Sequence, residues 1–242
     1  MKLPIIGILS GVALATLGAS AARDVIVIPP TGLAPGSEYR LVFVTSGTRN
    51  ATSSNIDIYN TFVQNAARSS SVLNTALTAA GFDPTSITWT AIASTGAVNA
   101  RSNTRTRATD TSRPIYRLDG AQVATSYADM WEGSIGEPIN RTQEDTVIER
   151  SRVWTGTGGG GETSNPLGVF VDFNPRFGLI ERGDLWVSAG IALQSAERFY
   201  GISSVLVVPT APPTTTPEPS SLLGFITLGG LMLGGVARKT RK

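Results

Sequence analysis

The 242-residue chain contains no cysteine and no histidine. These two absences exclude disulfides, thiol nucleophiles, imidazole general bases, Ser-His-Asp triads and zinc sites built on Cys or His. Lysine is nearly missing as well, occurring only at positions 2, 239 and 242. The whole chain sums to +2, yet residues 22–219 hold fifteen arginines against eighteen acids, a net of −3. Such a body lacks the basic surface that releases counterions on nonspecific nucleic-acid binding, so nucleic acid is not an expected partner. The available chemistry is that of carboxylates, hydroxyls and guanidinium groups. At 41% apolar residues, the chain has enough hydrophobic material to bury a core.

The two ends read as an address. Met1 and Lys2 precede an apolar stretch over 3–17 and a run of small residues over 18–22. A charged start, an apolar core shorter than an ordinary span and an A-x-A site at Ala19 and Ala21 predict a secretory signal peptide over 1–21, cleaved after Ala21. At the other end, the Pro- and Thr-rich residues 209–219 predict an extended spacer closing on Pro217, Glu218 and Pro219. Residues 220–237 are uncharged, Gly-rich and apolar, near the lower limit of about 17 residues for crossing a bilayer, and predict a transmembrane helix. Arg238, Lys239, Arg241 and Lys242 in the tail 238–242 would hold that end in the cytoplasm, which puts the preceding body outside.

The triplet, the short span and the basic tail, in that order, resemble the PEP-CTERM sorting signal of exopolysaccharide-producing Gram-negative bacteria. The resemblance covers residues 217–242. It implies an exosortase-type enzyme as partner, transient anchoring in the inner membrane, removal of the tail and delivery of the body to the cell surface or extracellular matrix. A permanently retained tail anchor is the alternative.

Between the two ends, residues 22–208 contain no second linker and no repeat, which predicts one extracellular domain. The β-branched and aromatic residues over 39–45 predict a buried strand. Ser54 and Asp57 form a capping-box pattern. Apolar positions then recur at helical spacing, at Ile56, Tyr59, Phe62, Val63 and Ala66 and again at Val72, Leu73, Ala76, Leu77 and Ala80. Gly81 and Asp83-Pro84 end the pattern, so two helices or one broken helix are expected. Short strands are predicted over 87–95, 153–155, 169–173, 185–188 and 201–208. Residues 115–118 and 121–124 flank Asp119-Gly120, which predicts a hairpin with a type I′ turn. The predicted fold class is α+β, with early helices and an irregular antiparallel sheet.

Residues 89–95, 99–101, 118–120, 131–134 with 138–139, and 153–161 form an ordered series rich in Trp, Gly and Thr. The series resembles the C-type-lectin-like domains of the endostatin-related bacterial surface class, across about 39–208. The resemblance implies a C-type-lectin-like, endostatin-like fold. The Glu-Pro-Asn and Trp-Asn-Asp triplets of calcium-dependent sugar-binding lectins do not occur, so their calcium chemistry is not carried over. No cofactor or metal is expected.

Candidate sites follow from residue type. Trp131 and Trp154, each followed closely by glycines, are candidate stacking faces for sugar rings, against the simpler reading of buried core tryptophans. Arg101, Arg105 and Arg107, with Arg113 and Arg117, lie within seventeen residues opposed only by Asp110. They are candidates for docking an acidic polysaccharide, against the reading of a solvated charged loop. Asp129 with Glu132, and Glu144 with Asp145, invite a glycosidase reading, but proximity along the chain does not make a catalytic pair, so no catalytic residue is assigned. Asp172 to Asn174 with Asp184 or Glu162 lack EF-hand spacing, and the glycines at 158–161 read as a flexible surface turn. The expectation is a noncatalytic surface or matrix protein that binds extracellular polysaccharide. A secreted glycoside hydrolase and a purely structural matrix protein are the alternatives.

Overall fold

The computed structural model describes residues 26–169, 174–193 and 195–210. The predicted signal peptide with Ala19 and Ala21, the sorting segment with Pro217, Glu218, Pro219, Arg238, Lys239, Arg241 and Lys242, and most of the predicted strand 169–173 lie outside them. Among the described residues no helix is long and apolar enough to cross a membrane.

In chain order the elements are β1 (Glu38–Val44), β2 (Arg49–Asn50), α1 (Ile56–Ser69), α2 (Ser71–Ala79), β3 (Trp89–Ala91), α3 (Ala100–Thr104), β4 (Ile115–Arg117), β5 (Gln122–Ala124), α4 (Tyr127–Met130), β6 (Arg152–Trp154), β7 (Arg176–Leu179), β8 (Gly190–Ile191), β9 (Ala196–Glu197), β10 (Tyr200–Ser203) and β11 (Leu206–Val207). The principal sheet has the order β3-β10-β1-β4-β5, with β11 also pairing β1. Strand β1 is apolar on both faces, as a central strand covered on both sides must be. Its residues Tyr39, Leu41 and Phe43 join the helices α1 and α2 in one core cluster, with Tyr59, Val63, Leu73 and Leu77. Val42 and Val44 face the other way, into a cluster with Ile202, Met130, Trp131 and Trp186, whose covering layer beyond the sheet comes largely from loops. The domain is therefore α+β, a sheet between a helical layer and a loop-rich layer.

Several expectations need correction. The sheet is mixed, because β4 runs parallel to β1 while β10 and β11 run antiparallel to it. The excursion over 45–114, which carries α1, α2 and α3, supplies the long crossover that a parallel pair requires. The helix does break, at the buried Ser70, whose hydroxyl accepts from the Leu73 N–H and donates to the Gln143 carbonyl. Its N-cap is Asn55 rather than Ser54, the Asn55 side chain accepting from the Asp57 N–H; the two residue types cap equally well, so type alone does not separate them. Val72 is 40% exposed because Leu73 and Leu77 take the inward face of α2. The hairpin of β4 and β5 forms as predicted, but with a different turn. Asp119 keeps a negative φ, Gly120 sits at φ +85, and the Gly120 N–H donates to the Arg117 carbonyl. This is a type I turn followed by a glycine bulge, not type I′. Residues 185–187 form bends rather than a strand, and β7 instead pairs with β6 on one side and β8 on the other as a separate three-stranded sheet. The predicted final strand divides into β10 and β11, where the Ser203 hydroxyl replaces a backbone acceptor for the Leu41 N–H.

Strand β3 is an edge strand, and its outward backbone groups are met by side chains. Asn60 Oδ1 accepts from the Ala91 N–H at 3.0 Å and Gln64 Oε1 from the Trp89 N–H at 2.8 Å. The geometry fits because four residues of helix rise about 6 Å, nearly the about 6.6 Å spanned by two residues of strand. From α3, Asn103 Nδ2 donates to the Ala91 carbonyl at 2.7 Å and to Asn60 Oδ1 at 2.9 Å, and Asn60 Nδ2 returns a bond to Asn103 Oδ1. The edge is thus closed to other strands by three amide side chains. Replacing Gln64 with Ala should lower the unfolding free energy by about 1–2 kcal/mol and speed hydrogen exchange at the Trp89 amide; unchanged Trp89 protection would show that the contact does not seal the edge.

Candidate functional site

The register that pairs Val42 with Ile202 and Ile202 with Thr90 defines a row on the loop-side face of the sheet. Continuing one step along each strand on that face brings Arg40, Ser204 and Thr88 into a polar row at the sheet's end. There the sheet, α1, the end of α3 and the start of α4 enclose a cleft of about 330 Å³. Its wall carries the guanidinium groups of Arg40 and Arg105 and the side chains of Asn60, Asn103, Tyr127, Thr88 and Thr90. Among the described residues no carboxylate lines it.

Arg40 is the unusual member. It is only 4% exposed, and its Nε and Nη1 donate to the carbonyl oxygens of Ser203 at 2.6 Å and Thr104 at 2.7 Å. Its guanidinium lies 5.8 Å from the Tyr127 ring centroid. No Asp or Glu forms an ion pair with it among the described residues. Burial lowers its pKa, the nearby Tyr127 opposes that change, the charge of Arg105 reinforces it and the charge of Asp110 opposes it. A buried cation bonded to neutral oxygens, with the charge of Asp110 a lesser influence than that of Arg105, is costly, and an incoming anion would relieve that cost. Arg105 is exposed at the C-cap of α3 with φ +55, and Thr88 and Thr90 present hydroxyl groups beside it.

The structure separates the arginines that looked alike in sequence. Arg105 reaches the cleft, but Arg101 and Arg107 do not line it. Arg101 lies 5.9 Å from the Trp131 ring centroid, and Arg107 bonds Ser102 Oγ at 3.1 Å while its N–H meets Asp110. Arg113 pairs with Glu38. Arg117 forks onto both oxygens of Asp119 and reaches the Pro138 carbonyl and Asn140 Oδ1. Arg40, Asn60, Thr88, Thr90 and Ser204 were missed in sequence. The available signal was Arg40 itself, the single charge inside the run from Tyr39 to Val44.

Neither tryptophan offers an open face. Trp154 is fully buried with Nε1 donating to the Ser195 carbonyl at 2.9 Å. Trp131 is 4% exposed, packs 5.5 Å from the Trp186 ring centroid and donates to Thr106 Oγ1 at 2.9 Å. A glycine of the run that follows Trp154 covers the ring of Trp131. Gly161 is buried at φ +81, and a Cβ there would meet the Trp131 ring at 2.7 Å and Arg101 Cγ at 2.6 Å. The segment 158–161 is thus a packed turn over Trp131, not a flexible surface turn.

The suggested carboxylate pairs are occupied separately. Asp129 accepts from the N–H and hydroxyl of Thr125, which hold its pKa below the ordinary aspartate value. Asp145 pairs with Arg141 at 2.6 Å. Asp184 is exposed and forked by Arg182. Among the described residues no three acidic side chains converge as a metal site. A second, larger groove of about 550 Å³ lies between Ile26, Ile28 and the outer face of α2, but its wall is mostly apolar and small. Compared with known proteins, the chain matches no family model and no curated sequence.

Asp119 bridges two guanidiniums, with Arg117 Nη2 at 2.7 Å and Arg141 Nε at 3.3 Å from Oδ2. Burial alone would raise its pKa, but the Arg117 hydrogen bonds and charge, the Ala121 N–H and Arg141 outweigh burial and lower it. The carboxylate's stabilisation is therefore complete above the ordinary aspartate range and is lost as pH falls through the depressed folded value. Replacing Asp119 with Asn should cost roughly 3 kcal/mol at neutral pH and flatten the decline of stability with acid; an unchanged acid profile in chemical unfolding would exclude this. Gly161→Ala should destabilise by about 1–3 kcal/mol through overpacking, read from the midpoint of urea unfolding, whereas a neutral result would mean that the turn over Trp131 has room.

Proposed function

We propose that the chain is an exported, noncatalytic surface or matrix protein, sorted through its C-terminal PEP-CTERM-like signal, whose lectin-like domain binds extracellular polysaccharide. The observation that carries the binding part is the cleft: hydroxyls, amides and two guanidiniums line a cavity at the low end of the about 300–1,000 Å³ usual for ligand sites, with no carboxylate among the described residues of its wall. Hydroxyl-rich ligands are held by such neutral donors and acceptors, whereas sugar hydrolysis needs paired carboxyls across a cleft. The separate occupation of Asp129 and Asp145 favours binding over a hydrolase. The early helix pair, the irregular sheet and the loop-rich layer support the lectin-like reading of the fold.

The address rests on the terminal patterns in the sequence: the small-residue site at Ala19 and Ala21, the Pro217-Glu218-Pro219 triplet and the basic end at Lys242. An exosortase-type enzyme is the expected partner, with the inner membrane a transient one. Expression of the full chain in an exosortase-bearing Gram-negative host tests the whole reading. The product should appear outside the inner membrane, begin at Ala22 and lack the tail ending at Lys242. It should retain polysaccharide on a pull-down without generating new reducing ends. Extracellular protein with Lys242 intact would overturn the sorting, and new reducing ends abolished by one Asp or Glu substitution would favour the hydrolase.

A further inference from the structure

We infer that the cleft recognises an acidic sugar unit, its carboxylate held between the buried Arg40 and the exposed Arg105 and its hydroxyls by Thr88, Thr90 and Ser204. This inference rests on the reading above that the cleft binds polysaccharide, and it names the class of sugar.

Three observations carry it. The first is charge: two guanidiniums and, among the described residues, no carboxylate line the cleft, and Asp110 outside it acts on Arg40 less than Arg105 does, so an uncharged ligand would leave the two cations without a direct counter-ion. The second is burial. Arg40 is more than nine-tenths buried, and its backbone bonds occupy Nε and Nη1, fixing the planar head on Ser203 and Thr104 before a ligand arrives. A guanidinium held in one orientation loses little freedom when its remaining N–H groups donate to a carboxylate. The third is the neutral wall. The hydroxyls of Thr88 and Thr90 make no hydrogen bond within the described residues, so both are available to a sugar's hydroxyl groups, while Asn60 and Asn103 are largely spent on each other and on Ala91. Arg105 is placed at the lip by its left-handed backbone, where an exposed cation steers an anion inward.

The test is equilibrium binding of the secreted full-length protein to polygalacturonate, free galacturonate, dextran and inorganic sulfate. Polygalacturonate and free galacturonate should bind, with affinity falling as salt is added, while dextran should not bind and sulfate should compete only weakly. Arg105→Gly suits the positive φ and removes the charge without straining the backbone, so it should fold normally and lose affinity by roughly tenfold or more. Arg40→Gln should remove binding, and if that variant fails to fold the Arg105→Gly result decides alone. Dextran bound equally by wild type and Arg105→Gly would overturn the acidic-sugar inference while leaving polysaccharide binding in place. Free galacturonate bound in an Arg105-dependent way, with no polymer retained, would uphold the inference and overturn the polysaccharide reading. Sulfate binding as tightly as galacturonate would also overturn the inference, since the site would then answer to charge alone.

Discussion

The outward amide groups of the edge strand β3 impose the constraint on which the rest of this domain depends. An unpaired sheet edge invites other strands, and here Asn60, Gln64 and Asn103 take the place of a neighbouring strand. That substitution requires α1 to run alongside β3 at a fixed height, and it requires α3 to end close by. Once Asn103 is tied to Ala91, the next residue, Thr104, offers its carbonyl to Arg40, and the one after it, Arg105, turns left-handed at the cleft. The geometry of the cleft is thus a by-product of how the edge is sealed. The reciprocal amide pair of Asn60 and Asn103 belongs to both.

The composition of the body makes sense in the same terms. A loop-rich layer leaves many carbonyl oxygens without ladder partners, and each must be satisfied. Arginine side chains do this repeatedly: Arg40 on Ser203 and Thr104, Arg117 on Pro138, and Arg198 on Thr45 and Ser46. A planar head with five donors can bond several oxygens at once, which an ammonium on a flexible stem does less well. This accounts for a described body whose cations are all arginine, and it explains why most members of the arginine-rich segment 101–117 serve the fold.

Local patterns with a short-range cause were legible in the sequence. The apolar β1, the two helices interrupted near Ser70 and the hairpin around Asp119-Gly120 each follow from spacing or turn chemistry within a few residues. The features that misled depend on distant partners. Ser54 and Asn55 compete for one cap, and only the packed structure chooses. Trp186 looks like part of a strand but packs as a bend against Trp131 and Tyr200. The glycines after Trp154 suggested exposure, yet Gly161 is small because Trp131 lies against it. Of the candidate site, Arg105 was visible as a charge, but Arg40, sixty-five positions away, joins it only through sheet register.

Strand β11 lies against the start of β1, with Val208 exchanging backbone bonds with Gly36 and Ser37. The cleft is anchored on β1 at Arg40 and on the link between β10 and β11 at Ser204. Tension on the chain at Pro209 is therefore shared between the backbone leading back to Ser204 and the contacts that tie 206–208 to 36–39. When the pull runs along the strand axes those contacts are sheared together rather than peeled in turn.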